Sequence, residues 1–284
     1  MTSFHDRIAQ AGAAIRDADF LLIGGGAGLS DAAGLKYSGS RFTDAFAPFI
    51  RKFGMTDLYT SSFFPFETEE ERWAYWALHV GISRYDPPAT QLYSELLELV
   101  REKALFVITT NVDHQFGKAG FSAESIWAVQ GDYGLIQCAR ACHTALYDNE
   151  GIVRSMREST NDCRIPASLV PHCPGCGGPM DIHIRKDDYF VEDESWQEAG
   201  RRYVAFLQEA KRGRMVLLEL GVGFNTPAII RNPFERMLYL NHAVNLIRMN
   251  AWDPLGPKEN AGKTISFTED MAQTVTLLLK GLDG

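Results

Sequence analysis

The run Phe20-Leu21-Leu22-Ile23, followed at once by Gly24-Gly25-Gly26-Ala27-Gly28-Leu29-Ser30, constrains this chain more than any other stretch. Four apolar residues read as a buried strand, and the glycines read as the turn that delivers it into a helix. Without Cβ atoms the backbone turns sharply and approaches a pyrophosphate, while the next helix offers N–H groups and the positive end of its dipole. A dinucleotide is therefore the first ligand to consider. The third glycine of the usual fingerprint is missing after Gly26-x-Gly28, and glycine-rich turns also serve plain strand-to-helix connections.

With 284 residues the chain is long enough for two domains, or for one α/β unit carrying an inserted module. Further apolar runs at Leu105 to Ile108, Ser125 to Val129, Met215 to Leu220 and Asn245 to Met249 fit strands buried on both faces. Residues 4–18 read as an amphipathic helix on Ile8, Ala11, Ile15 and Ala18, and helices are also expected over Ser195 to Arg212 and Pro227 to Asn241. This alternation predicts an α/β fold with a parallel sheet wound on both sides, whose ligands lie at the carboxyl ends of the strands. Ser30, Thr109, Asn111, Asp113, Gln130, Gly221 and Asn250 fall at those ends. From Phe42 to about Arg101 the pattern is helical and rich in aromatics, with Pro87-Pro88 as a break. Such a stretch reads first as core, with an apolar groove as the alternative.

The formal net charge of -8 argues against nucleic acid as a partner, because phosphate backbones are held by clustered Lys and Arg. No apolar stretch reaches the roughly 18 residues a membrane helix needs. Met1-Thr2-Ser3-Phe4-His5-Asp6-Arg7 shows neither an apolar signal core nor an Arg-rich transit pattern, so no membrane partner and a cytoplasmic location are expected.

Five cysteines, Cys138, Cys142, Cys163, Cys173 and Cys176, fall in one short region. An odd, clustered set suits a metal in a reducing compartment better than a disulfide framework. Cys138-x3-Cys142 and Cys173-Pro174-Gly175-Cys176-Gly177-Gly178 read as two knuckles presenting four thiolates to one tetrahedral ion, with zinc the natural occupant. His143 and His172 sit beside the pairs, which leaves a three-cysteine, one-histidine set open. A fully ligated ion of this kind is structural, since a catalytic one needs an open position. Cys163 is left over.

In order along the chain, Gly26-Ala27-Gly28-Leu29-Ser30, Thr109-Thr110-Asn111-Val112-Asp113, Gln130-Gly131, the paired cysteines and Gly221-Val222-Gly223-Phe224-Asn225-Thr226-Pro227 resemble the motifs of the sirtuin family. The resemblance spans about Ala18 to Asn250. It implies a Rossmann-like NAD-binding domain over 1–41, 104–131 and 191–284, a helical insertion over 42–103 and a zinc-binding module over 132–190, with NAD as co-substrate in the cleft between. By the same resemblance Gly26, Ala27, Gly28 and Ser30 belong to the phosphates, and Thr110, Asn111 and Asp113 to the nicotinamide ribose region. Gly221, Val222, Gly223 and Asn225 belong to the phosphates or adenosine, and Asn250 to the adenosine ribose. Either asparagine would otherwise cap a helix or turn.

Two departures from the family pattern carry consequences. Its continuation Ser-Gly-Ile-Pro-Asp-Phe-Arg stands here as Ala33-Gly34-Leu35-Lys36-Tyr37-Ser38-Gly39, without the Asp and Arg in register. The histidine that precedes glycine is Gln130. A carboxamide stays neutral and cannot act as a general base, so activation of a ribose hydroxyl for deacylation loses ~10²–10⁴-fold. Departure of nicotinamide needs only charge stabilisation and a positioned nucleophile. The expected catalytic residues are Asn111, Asp113 as charge partner of the oxocarbenium-like sugar, and Gln130 as an orienting amide. The exchange at 130 resembles the class M, macrodomain-linked sirtuins. That branch implies mono-ADP-ribosyl transfer to a lipoylated, glycine-cleavage H-like carrier protein, with a macrodomain protein reversing it. Lysine deacylation with His114 or Asp113 as base, and a non-catalytic NAD or ADP-ribose sensor, are the alternatives.

Overall fold

The computed structural model describes residues 2–282. Its strands are β1 (Phe20–Gly25), β2 (Ala104–Thr109), β3 (Ile126–Ala128), β4 (Gly131–Cys138), β5 (Tyr147–Asp148), β6 (Met180–Ile184), β7 (Met215–Leu220), β8 (Val244–Met249) and β9 (Thr264–Phe267). Among the described residues six of them form one sheet in the order β3-β2-β1-β7-β8-β9, with every pairing parallel. Counted within the sheet, this is the 3-2-1-4-5-6 order of the doubly wound dinucleotide fold, and the order reverses between β1 and β7. Gly25 pairs with Leu220, so the turns that leave these two strands lie side by side at the switch point.

Both faces of the sheet are covered, as its unbroken apolar strands require. Leu21, Ile23, Val107, Leu218 and Ile247 pack under helices Phe4–Asp17, Gln91–Val100 and Met271–Leu282. Leu22, Phe106, Leu217 and Leu246 pack on the other side under Glu194–Ala210 and Arg231–Leu240. Each such fully buried side chain contributes roughly 1.5–3 kcal/mol. Glu219 breaks the apolar pattern of β7: it is fully buried, with Arg248 of β8 Nη2 2.9 Å from its Oε2. Arg248 Nε also lies 2.7 Å from Oε1, a close ion pair without hydrogen-bond alignment.

Most of the aromatic residues between Phe42 and Trp76 are core. Phe42, Phe46, Phe49, Trp73, Tyr75 and Trp76 are buried, whereas Tyr59 and Phe63 are exposed. The same core continues into Ile136 of β4 and Met180 and Ile182 of β6, so the helical and cysteine-bearing segments bury one shared interior. There β4 pairs antiparallel with both β5 and β6. Among the described residues no helix is long and apolar enough to cross a membrane.

Candidate active site

At the switch point the turns after β1 and β7 interlock. Gly26 N–H donates to the Leu220 carbonyl at 3.0 Å, and Gly28 N–H to the Gly221 carbonyl at 2.9 Å. Gly221 has φ +61°, and a Cβ there would stand 2.3 Å from the Gly28 carbonyl carbon. A side chain at that position would force the two turns apart. Val222 is buried beneath them, while Ala27, Gly223 and Asn225 are exposed at the rim. Asn250 is committed at both ends of its amide: Nδ2 donates to the Val222 carbonyl at 2.9 Å, and Oδ1 accepts from Trp252 N at 3.0 Å and Asp253 N at 2.9 Å. It clasps the loop after β8 to the loop after β7.

A buried polar chain runs from β2 toward this switch point. Thr110 N–H and Thr109 Oγ1 each donate to the Gly25 carbonyl at 3.0 Å, and Thr109 Oγ1 accepts from Asn111 N at 3.0 Å. Those bonds aim Asn111 Nδ2 at the Gly26 carbonyl (2.9 Å), Ser30 Oγ (3.1 Å) and the Tyr93 hydroxyl (3.2 Å). Ser30 Oγ donates to Asp113 Oδ2 at 2.5 Å, and Asp113 Oδ1 accepts from Gln115 N at 3.0 Å. Burial raises the Asp113 carboxyl above its ordinary value, against the pull of Ser30 and of the Gln115 N–H. Gly26, Ser30, Asn111 and Asp113 thus come together, joined by Tyr93, which the sequence reading leaves among helix residues. Tyr37, in the register of the missing aspartate, is pushed up by burial and then by the Asp113 charge. Arg41 fixes that segment, donating to the Lys36 carbonyl at 2.8 Å and the Ile82 carbonyl at 2.7 Å.

Gln130 is half-buried between β3 and β4, and its carbonyl accepts from Arg185 N at 2.9 Å. Gly131 after it has φ +99°, with the His183 carbonyl oxygen 2.1 Å from where a Cβ would sit, so the turn admits glycine alone. Asp132 then faces back toward β2. Its Oδ2 meets His114 Nδ1 at 2.9 Å, and its Oδ1 accepts from Arg84 Nε at 2.8 Å and Gly134 N at 2.6 Å. Burial pushes Asp132 up, but His114, Arg84 and Gly134 together override it and hold the carboxyl at about 2. Asn111, Asp113, His114 and Asp132 line one cavity of roughly 360 Å³, with Trp127 and Trp196 on its apolar wall. A larger cavity of roughly 600 Å³ lies elsewhere, among Pro48, Leu78 and Cys163, and none of the residues just described lines it.

The cysteines converge at the far end of β4. Sγ of Cys138 and Cys176 are 3.7 Å apart, and Sγ of Cys142 and Cys173 are 3.5 Å apart. A tetrahedron with zinc–sulfur bonds of about 2.3 Å has edges of about 3.8 Å, so these spacings fit the metal. A disulfide would need about 2.05 Å, and all five cysteines are free. His143 Nδ1 is 3.1 Å from Cys142 Sγ, and the donor atoms that all lie within 4.8 Å of one another are those of Cys138, Cys142, His143 and Cys173, with Cys176 outside that set. Burial opposes ionisation of Cys138, yet N–H groups of Cys142 and Arg140 aimed at its sulfur lower it, while the neighbouring Cys138 sulfur raises Cys142. A sulfur so held is ready to ligate.

No family model matches the chain. It is 35% identical over 268 residues to a protein ADP-ribosyltransferase of Staphylococcus aureus, covering 94% of this chain and 85% of that protein. It is 31% identical to a probable bifunctional ADP-ribose hydrolase/ADP-ribosyltransferase of Fusarium oxysporum f. sp. cubense, over 94% of this chain and 46% of that protein, about half its length. Among solved structures, a Sir2 homologue in complex with NAD superposes with a TM-score of 0.59 at 13% identity, covering 97% of this chain and 93% of the other. A Sir2 protein bound to a propionylated peptide gives 0.60 at 16% identity, over 97% and 99% of the two chains.

Proposed function

The chain belongs to the protein ADP-ribosyltransferases built on the sirtuin fold, and from that premise we propose that it cleaves NAD and transfers one ADP-ribosyl group to a protein acceptor, releasing nicotinamide. One observation carries this reading: the chain from Asn111 through Ser30 to Asp113 is intact while residue 130 is a carboxamide. In the mechanism this supports, the interlocked turns at Gly26, Ala27, Gly28 and Gly221 to Asn225 receive the pyrophosphate and adenosine, and Asn250 shapes the adenosine end. Thr110 and Asn111 border the nicotinamide ribose, with Asn111 holding the sugar and carboxamide in place. As the C1′–N bond opens, positive charge grows on the ribose, and the Asp113 carboxylate beside it stabilises that charge without reorganisation. Gln130 orients the ribose or acceptor by hydrogen bonding and takes up no proton.

The same reading divides the chain into a nucleotide-binding part over 1–41, 104–131 and 191–284, a helical part over 42–103 and a metal module over 132–190. Cys138, Cys142, Cys173 and Cys176 would hold a structural zinc that fixes the module bearing β4, and hence Gln130 and Asp132, against the sheet. For the acceptor we propose a lipoylated H-like carrier protein, with a macrodomain hydrolase reversing the modification. The Fusarium relative, whose name joins an ADP-ribose hydrolase to a transferase, supports the second half of that pairing. Free cysteines support a reducing, cytoplasmic setting.

The test is incubation of the enzyme with labelled NAD and the carrier, lipoylated or bare, followed by intact mass. A gain of one ADP-ribosyl group on the lipoylated carrier alone is expected. Free ADP-ribose with every protein unlabelled would convert the reading to NAD hydrolysis, and O-acyl-ADP-ribose from an acetyl-lysine peptide would revive deacylation.

A further inference from the structure

With Gln130 unable to accept a proton, transfer still has to dispose of the one carried by the acceptor nucleophile. Directly after Asp113, His114 holds φ +63°, a left-handed backbone that non-glycine residues rarely adopt without compensation. The compensation is the 2.9 Å bond from Nδ1 to Asp132 Oδ2. Asp132 is in turn fixed by Arg84 Nε at 2.8 Å and Gly134 N at 2.6 Å, so the ring is oriented by a carboxylate that is itself anchored. The imidazole side chain is 45% exposed and that of Asp132 only 19%: the outer group is open to the cavity and its orienter is shielded. Asn111 and Asp113 line the same cavity.

We propose that His114, positioned by Asp132, is the general base that receives the acceptor's proton during transfer, an assignment that rests on the transferase reading above. Nδ1–H donated to Asp132 leaves Nε2 as the free ring nitrogen, packed beside Gly117, which lines the same cavity. The C1′–N bond breaks with its electrons going to nicotinamide, which leaves neutral. A lone pair on the acceptor's N, O or S forms the new bond to C1′, and its proton passes to His114 Nε2. Asp132 then balances the imidazolium, as an orienting carboxylate does for an activated nucleophile elsewhere. Arg84, Asp113 and Lys118 also act on Asp132, the Lys118 ammonium being tied to the Arg84 and Pro87 carbonyls, and Asp193 and Arg202 line the same cavity.

His114→Gly tests this, because glycine takes the same backbone without strain. In the intact zinc-loaded protein the readout is the fraction of released nicotinamide matched by labelled carrier, which separates transfer from cleavage. Transfer to the lipoylated carrier is expected to fall by ~10²–10⁴-fold, and added imidazole to restore part of it. Asp132→Asn, which removes the preference for the Nδ1–H tautomer, is expected to lower the same fraction. Transfer by His114→Gly equal to the parent overturns the assignment. So does a drop of equal size in both steps with no imidazole rescue, which marks a structural role. A parent enzyme that releases nicotinamide but labels no protein instead retires the transferase reading, and this assignment with it.

Discussion

The Tyr93 hydroxyl lies 3.0 Å from Ser30 Oγ and is the member of the buried polar chain that comes from the helix Gln91–Val100, outside the segments that follow β1 and β2. Because Ser30 donates onward to Asp113 and Asn111 donates to Tyr93, the hydrogens order themselves Asn111 to Tyr93 to Ser30 to Asp113.

Tyr93→Phe keeps the ring packed against Phe116 and removes the central link. The loss of one net hydrogen bond, about 1 kcal/mol, is expected to slow nicotinamide release by roughly fivefold with little change in thermal unfolding. Single-turnover release of nicotinamide reads this directly, and an unchanged rate would detach Tyr93 from the site.

Asn111→Ala removes the only side-chain amide in that chain and with it the clamp on the Gly26 carbonyl. Nicotinamide release is expected to fall below detection while the circular dichroism spectrum stays that of the parent. Turnover at the parental rate would exclude Asn111 from the reaction.

Most of the parallel sheet is legible in local pattern, but β9 and the helix Met271–Leu282 are not among the elements the sequence marks. The apolar runs became β1, β2, β3, β7 and β8, and the glycine turn sits at the switch point because a buried parallel strand and a tight turn both leave local signals. The antiparallel sheet was not visible, because β5 has two residues and β4 shifts register between Gly131 and Ile136, which erases clean alternation. Tyr93 reads as an ordinary apolar-face residue until the fold turns it toward Ser30. Arg84, His114 and Asp132 come from segments 18 and 48 residues apart, a separation at which no spacing rule operates. Position 143 stayed ambiguous in sequence because a histidine beside a cysteine pair can ligate or merely hydrogen-bond, and in the structure it does approach Cys142.

Asp132 gives a pH signature. Its folded value of about 2 lies below the ordinary 3.8, so its contribution is complete above that ordinary value and is lost as pH falls toward the folded one. Between about pH 4 and pH 2 the parent is expected to lose about 2 kcal/mol more stability than Asp132→Asn. Urea unfolding of both proteins across that window measures the difference, since any acid release of metal is common to the two. Parallel curves would show that the carboxylate is not held as its contacts indicate.

The metal set separates by substitution. Cys176→Ser is expected to lose bound zinc and to unfold at lower temperature, because Cys138 loses the neighbour 3.7 Å away. His143→Ala is expected to keep one zinc per chain, its Nδ1 serving as a donor to the Cys142 sulfur while Tyr147 anchors Nε2 at 2.7 Å. Metal analysis with the reverse outcome, zinc lost from His143→Ala and kept by Cys176→Ser, would make the site three cysteines and a histidine.

The buried pair Glu219–Arg248 is tied to the loop that follows β8. Besides Glu219, Arg248 contacts Glu235 at 2.9 Å and the Leu255 carbonyl at 3.1 Å, while Arg231 holds the carbonyls of Asp253 at 3.1 Å and Leu255 at 2.7 Å. Those carbonyls belong to the loop that Asn250 clasps, so the ion cluster and the clasp act on one segment. Arg248→Met leaves a carboxylate buried without its main partner, which is expected to cost about 3–5 kcal/mol. Burial already pushes Glu219 up, and Arg248 is the first of the groups that oppose it. Without Arg248 the acid's folded value rises further above its unfolded one, so the stability deficit should be largest at neutral pH and shrink as pH falls and Glu219 takes a proton. Denaturant unfolding at about pH 5 and pH 8 checks the sign, and a deficit that grows on acidification would contradict it. Adding Glu219→Gln to the variant should recover part of the loss at neutral pH, because a neutral amide removes the uncompensated charge that the single substitution strands.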